Sequence, residues 1–287
     1  MSLISRAALS KVMTELCRRN VKLYHACQLK DLRSYLELGG VPSRNLLASK
    51  CLPFTPFDTD AGDQSRGVWN LVFFNLSDFG YWFAQEKDTL PNPFGPILLC
   101  FNPEVLEHAN DISIALRSAG ASDFDRQGEG ISAEDVPRLF TDCDRPYVLF
   151  SDRLRDEFGD PRAQSPEISC SFDRELGVID HLAYIRVDPY NSDNYSLLDA
   201  ARQMVSPYSL SHRVYPRDCS GDQISRYRAL WDAITRSACN GGDVLATIAE
   251  DPVLSAWAHH ICSQDLSYQL KRYATYLFDG TVSECLS

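Results

Sequence analysis

Segments with the pattern of β-strands are confined to the first 190 residues of this 287-residue chain, and this change of character most limits its fold. Apolar runs predict strands at 21–26, 67–75, 96–102, 147–150 and 167–172, and another within 178–187. Beyond Asp188–Pro189, apolar residues at helical spacing predict helices at 196–205, 222–238, 243–262 and 264–278. The sequence therefore predicts an α+β domain over residues 1–190 and an all-helical extension over residues 191–287.

Two helices are predicted on either side of the first strand. Residues 3–19 place apolar side chains at helical spacing, and residues 28–38 do the same before Gly39–Gly40, which ends a helix favourably. An extended exit over 41–44 follows. Residues 118–146 are polar and rich in acidic groups, which predicts a long loop region.

The chain lacks the sequence features of a membrane or secreted protein. No stretch approaches the roughly 18 consecutive apolar residues of a spanning helix, and residues 1–20 contain no apolar signal-peptide core. We therefore expect a cytoplasmic protein with no membrane partner.

The ten cysteines include no pair closer than ten residues, whereas zinc sites normally use close pairs. No metal site is predicted.

Charge is distributed unevenly along the chain. The net charge is −11, yet residues 1–60 carry nine basic and five acidic side chains, whereas residues 61–195 carry eleven and twenty-four. Because phosphate neutralisation dominates binding to nucleic acids, a uniformly acidic protein would bind them poorly. The basic first segment leaves room for a local polyanion-binding cleft, and the acidic middle is explained most simply as a solvated surface.

The common catalytic signatures are absent, and an ordered series of segments remains. The chain contains no glycine-rich dinucleotide or phosphate-binding loop, no nucleophile elbow and no zinc-protease motif. Instead, a strand carrying Tyr24-His25 leads into a helix that ends in Gly-Gly, and an aromatic strand at 72–75 precedes Gly80-Tyr81-Trp82. Gln164-Ser165-Pro166-Glu167 then opens a strand that is followed by 178–187.

This order resembles the ADP-ribosyltransferase superfamily, within it the DarT-like branch of bacterial toxins that modify nucleic acids. The block Leu23–Gly40 is similar to the first block of that branch, and Gln164–Ile168 with Ile179–Val187 is similar to its late block, which carries a catalytic glutamate. The resemblance covers residues 20–190. It implies a split β-sheet core with flanking helices, NAD as co-substrate, and a catalytic domain over residues 1–190.

The resemblance implies catalytic roles for a carboxylate and an arginine. Glu167 is expected to stabilise the oxocarbenium-like state that forms when nicotinamide leaves ribose, and to hydrogen-bond the ribose or help deprotonate the acceptor. An arginine is needed for the phosphates of the dinucleotide, because its planar fork suits phosphate oxygens. Arg66 aligns best with the catalytic-site arginine of the family, and Arg44 is the other candidate.

Three further residues are expected to bind NAD. His25, together with Tyr24 on the first strand, is expected to bind the adenosine-side ribose. Tyr81 is expected to stack on nicotinamide and hold the ring in a reactive geometry.

The resemblance also implies the acceptor and the biological setting. It implies a base of RNA or single-stranded DNA as acceptor, and a toxin–antitoxin or phage-defence system with an antitoxin partner. The segment 74–79 differs from the family's substrate segment, so RNA is as well supported as DNA. Two alternatives stay open. One is transfer to a protein side chain, which the net charge of −11 favours. The other is a degenerate, non-catalytic binding module.

Overall fold

The chain divides into two compact units, each assembled from separate stretches of sequence. A computed structural model describes residues 3–78, 80, 94–121, 123–125, 128–142, 144–172, 178–192, 195–241, 244–255 and 272–286. The first unit comprises Met1–His25, Ser34–Phe79 and Cys100–Ala183, and the second comprises Ala26–Arg33, Gly80–Leu99 and Tyr184–Ser287. The units therefore do not part at residue 190. The assignment of residues 1–190 to catalysis concerns function and stays a prediction.

The described residues contain nine strands. They are β1 (Leu23–Cys27), β2 (Val72–Asn75), β3 (Ile97–Phe101), β4 (Ile112–Ala115), β5 (Glu167–Cys170), β6 (Leu182–Val187), β7 (Asn191–Ser192), β8 (Tyr195–Ser196) and β9 (Val214–Pro216). In the first unit the order of hydrogen-bonded strands is β4-β5-β2-β1, and neighbours are antiparallel. In the second unit the order is β3-β6-β9, with β6 and β9 parallel.

Helices account for most of the remaining regular structure. They are Arg6–Arg18, Leu29–Leu38, Arg44–Ser49, Asp60–Ser65, Ser151–Phe158, Leu197–Val205, Gly221–Asn240, Val244–Glu250 and Ser283–Leu286, with further helical residues at 252–255 and 272–277. Local sequence explains several helix starts. Ser5 and Ser43 accept hydrogen bonds from the first-turn N–H groups of Ala8 and Leu46. This mixture of helices and strands is compatible with the predicted α+β class.

The C-terminal third departs from the prediction of an all-helical extension. The helices predicted at 196–205 and 222–238 are confirmed, but β7 and β8 form a hairpin there and β9 pairs with β6, so the prediction is wrong. Strand β9 contributes only Val214 to the buried core, and one apolar residue gives no readable periodicity. The helices predicted at 243–262 and 264–278 lie partly outside the described residues.

Three local predictions for the first 190 residues also need correction, and one strand was not predicted. Only Val72–Asn75 of the strand predicted at 67–75 is extended, because Gly67 has a φ of 68° where the helix Asp60–Ser65 ends. The strand predicted at 147–150 is reduced to one bridge between Val148 and Phe140. Arg44 begins a helix instead of ending an extended exit. Strand β4 has no counterpart among the strands predicted from sequence, because four residues give only a weak periodic signal.

The second unit buries a polar group within an aromatic core. The Tyr190 ring lies 4.6 Å from that of Tyr227 and 5.6 Å from that of Trp231, measured between centroids. The Tyr227 hydroxyl donates to Asp188 at 3.1 Å, and Asp188 forms an ion pair with Arg217. Both charged side chains are almost fully buried.

Within the part of the chain that the structure describes, every helix is too short or too polar to cross a bilayer.

Candidate active site

Strand β2 lies between the first strand and the strand that carries the candidate carboxylate. Tyr24 in β1 lies opposite Asn75 in β2, and Asn75 lies opposite Glu167 in β5. Glu167 is the first residue of β5 and Asn75 is the last residue of β2. Because the two strands are antiparallel, both residues lie at the same end of the strand pair. The strand that carries His25, the aromatic strand and the strand that carries Glu167 are therefore adjacent in the sheet, in the order in which the sequence presents them.

Glu167 is a buried carboxylate held by the turn that follows β4. Glu167 is 8% exposed, and its Oε1 accepts a hydrogen bond from the backbone N–H of Ala119 at 2.9 Å. The hydroxyl of Ser118 donates a second hydrogen bond to it. Burial raises the pKa of Glu167 from 4.5 to about 7, although both hydrogen bonds favour the ionised form. Near neutral pH the carboxyl is therefore poised between its two protonation states.

His25 is held in one neutral tautomer by two neighbours. Its Nδ1 lies 2.9 Å from the carbonyl oxygen of Phe73, which only accepts, so Nδ1 carries the hydrogen. Nε2 then accepts from the hydroxyl of Tyr35 at 3.3 Å. Burial, together with the positive charge of Arg44, lowers the pKa of His25 from 6.5 to about 4, although the hydrogen bond to Phe73 opposes the shift. A ligand hydroxyl that reaches Nε2 must donate a hydrogen bond and replace Tyr35.

Arg44 is held by a backbone carbonyl and two aromatic rings. One terminal nitrogen donates to the carbonyl oxygen of Thr55 at 2.7 Å. The guanidinium carbon lies 5.1 Å from the ring centroid of Phe54 and 4.7 Å from that of Phe57, within cation–π range. These contacts give Arg44 a clear structural role beside His25.

Arg66 has a less complete set of partners. Its terminal nitrogen forms a 2.7 Å ion pair with Asp63 one turn earlier, and its side chain is 17% exposed. Its Nε is buried and has no hydrogen-bond partner among the described residues. The guanidinium occupies the space beside Gly62, where an added Cβ would lie 2.9 Å from Nη1. A buried donor without a partner costs free energy, and an incoming anion would satisfy it.

Electrostatic interactions connect these groups into one cluster. Burial raises the pKa of Asp63, and the charge of Arg66 opposes that rise. The negative charge of Asp63 contributes to the raised pKa of Glu167, and Arg44 acts on both Asp63 and His25. The cluster therefore combines a carboxyl poised near neutrality, Asp63 and two arginines, and Arg44 extends it electrostatically to the neutral imidazole of His25. Such a set can stabilise a developing cation and bind phosphate oxygens.

Three of the six residues singled out from sequence, Glu167, Arg44 and Arg66, lie in this cluster. Tyr24 is half-buried and lies opposite Asn75, so it shares a sheet face with Glu167. His25, next to Tyr24 on β1, faces the other side of the sheet, where its ring contacts Phe74. Tyr81 lies outside the described residues. Sequence reasoning missed Asp63, because an acidic residue in a short polar helix has no distinguishing pattern.

Sequence reasoning also missed the turn at Ser118–Ala119, which fell in a predicted loop. Its chemistry depends on a hydrogen bond between residues 48 positions apart. Among the described residues, no three His, Cys, Asp or Glu side chains are grouped as metal ligands.

Comparison with known proteins adds no relative to this geometry. No protein-family model matches the sequence, and no curated protein matches it significantly. Function must therefore be argued from the residues of the site.

Proposed function

We propose that this protein is an NAD-dependent mono-ADP-ribosyltransferase with an ADP-ribosyltransferase fold, and that it modifies a nucleic-acid base. The observation that carries the proposal is the state of Glu167, a buried carboxyl with a pKa of about 7 at the end of the β2–β5 strand pair. A buried ionisable group with a strongly shifted pKa is more common at functional sites than elsewhere. The arginines linked to Glu167 through Asp63 are candidates for the phosphate-binding group that the family resemblance requires.

The proposed reaction breaks the bond between the nicotinamide nitrogen and ribose C1′, and the bonding electron pair leaves with nicotinamide. Glu167 in its ionised form stabilises the positive charge that develops on C1′ and the ring oxygen. A nitrogen or oxygen of the acceptor donates an electron pair to C1′ and loses its proton to Glu167 or to water. A pKa of about 7 suits this role, because a base works best when its pKa is near the working pH.

Arg66 is the better of the two arginine candidates for the phosphates. Its buried Nε is without a partner in the described residues, whereas Arg44 is committed to Thr55 and two aromatic rings. The proposed binding of the adenosine-side ribose by His25 and Tyr24, and the stacking of nicotinamide on Tyr81, rest on the family resemblance.

A nucleic-acid acceptor, RNA or single-stranded DNA, is proposed from the resemblance together with the net positive charge of residues 1–60. The same resemblance supports a toxin–antitoxin or phage-defence role with an antitoxin partner. A protein acceptor is the second candidate, because the net charge of −11 disfavours tight binding to polyanions.

The test supplies NAD labelled in its adenylate half together with single-stranded DNA, total RNA or lysate protein. Label on RNA or DNA, lost in Glu167→Gln, is the expected result. Label on protein that depends on Glu167 retains the transferase and replaces the acceptor. No label and no release of nicotinamide would leave a non-catalytic binding module as the better account.

The two arginines are expected to respond differently to replacement by lysine. Arg66→Lys loses the fork that binds two phosphate oxygens, so KM for NAD should rise by about tenfold to a hundredfold, the range for hydrogen bonds to charged groups. Arg44→Lys should mainly lower the melting temperature, because its contacts are with Thr55 and two rings. Steady-state kinetics and thermal unfolding of both variants measure this. The reverse pattern would assign the phosphates to Arg44.

A further inference from the structure

The segment after β4 is closed by a buried ion pair. Nε of Arg117 donates to both carboxylate oxygens of Glu129 at 2.9 Å, and the two residues are 4% and 7% exposed. Arg117 also donates to the side chain and the carbonyl oxygen of Asp123, at 2.7 and 2.8 Å. Two residues beyond Glu129, the N–H of Ile131 donates to Ile114 in β4 at 2.8 Å. One guanidinium thus draws both ends of this loop together.

The same loop holds the candidate catalytic carboxylate. Ser118 and Ala119, which follow Arg117 directly, supply the two hydrogen bonds to Glu167. Ala119 packs in an apolar cluster with Phe124, and the guanidinium of Arg117 lies 5.9 Å from the ring centroid of Phe124. The position of the Ala119 N–H therefore depends on the loop that the ion pair closes.

We infer that Arg117 is a positioning residue for Glu167: with Glu129 it fixes the Ser118–Ala119 turn, so that this turn presents its two donors to the carboxylate. This inference rests on the proposed function for its catalytic meaning. Its structural content, a link from the ion pair through the turn to Glu167, is independent of the acceptor and of the reaction.

Stability alone does not explain this buried pair. Replacing a buried ion pair with well-packed apolar residues is often neutral or stabilising, so a pair of this kind needs another justification. Arginine offers a planar fork that fixes orientation as well as distance, which lysine does not. The contact with Asp123, whose side chain is 64% exposed, is screened by water and adds little. The pair with Glu129 is the contact that sets the geometry.

The test compares Arg117→Lys with Arg19→Lys as a matched control. Arg19 lies in the same unit, is 3% exposed, pairs with Glu15 at 2.6 Å and lies 4.4 Å from the ring centroid of Phe140. Both variants keep the positive charge, so any effect on Glu167 comes from geometry. The readouts are the titration midpoint of Glu167, followed by NMR of glutamate labelled at its carboxyl carbon, and the pH profile of nicotinamide release.

Arg117→Lys is expected to raise the Glu167 midpoint by about one pH unit, the scale of one weakened charge-assisted hydrogen bond. The midpoint of the pH–activity profile should move with it, whereas Arg19→Lys should change neither. Glu129→Gln, which weakens the pair from its other side, should shift both midpoints in the same direction and serves if Arg117→Lys does not fold. An unmoved midpoint in a folded variant, or an equal shift in Arg19→Lys, overturns the inference.

The failure of the proposed function has a different signature. Wild-type protein that releases no nicotinamide would remove the catalytic role of Glu167. The NMR midpoint would still report whether Arg117 and Glu129 position the carboxylate.

Discussion

Glu167→Gln is expected to be more resistant to denaturant than the wild type above about pH 7, and similarly resistant below about pH 4.5. Burial raises the pKa of Glu167 from 4.5, its ordinary value, to about 7. Between these values the folded protein binds more protons than the unfolded chain, so the wild type loses stability as pH rises. A shift of this size corresponds to about 3 kcal/mol of unfolding free energy. Glutamine, which does not titrate, avoids that loss.

The measurement is urea unfolding of both proteins between about pH 4 and about pH 9, with the difference in unfolding free energy plotted against pH. Other groups titrate alike in the two proteins and cancel in the difference. Glu157→Gln, which changes a side chain that is 42% exposed, is the control variant. A pH-independent difference for Glu167→Gln would show that this carboxyl titrates normally.

The rate of NAD cleavage is expected to depend on the same ionisation. The value of kcat/KM for NAD should rise about tenfold per pH unit below pH 7 and level off above it, because this ratio reports the essential groups of the free enzyme. Glu167→Gln should lower the plateau by about 10²- to 10³-fold, the effect of removing one electrostatic stabiliser of a transition state. Its residual rate should be nearly independent of pH in this range.

Nicotinamide release measured across the pH range tests this expectation. His25 does not obscure the profile, because its pKa is lowered to about 4 and it stays neutral throughout the window. A plateau that survives in Glu167→Gln would transfer the catalytic role to another group. A kcat/KM profile centred near the ordinary glutamate pKa would mean that the Glu167 pKa is not raised in the free protein.

Local features of the fold could be predicted where local physics dominates. The helices Arg6–Arg18 and Leu29–Leu38 and strand β3 follow from apolar periodicity and caps. Strand β4 is not predicted from sequence, because its four residues are too few for a clear periodic signal. Strand β9 is not predicted from sequence, because its three residues are too few for a periodic pattern. It is extended because it pairs with β6.

The candidate site divides in the same way. His25 and Glu167 were identified because their residue types stood in a recognisable order of segments. Asp63 and the Ser118–Ala119 turn carry no such order, and their relevance comes from contacts with Glu167. The contacts that distinguish Arg44 from Arg66 are likewise visible only in the structure.

The sequence by itself determined the α+β composition, the succession of strands that carry His25 and Glu167, and the presence of arginines between them. Only the tertiary structure decided that Glu167 is buried, that a turn 48 residues away holds it, and that a buried arginine closes the loop containing that turn. The physical reason is that periodicity and capping act over a few residues. The pKa of a carboxyl depends instead on water exclusion and on donors that strand pairing brings from distant parts of the chain.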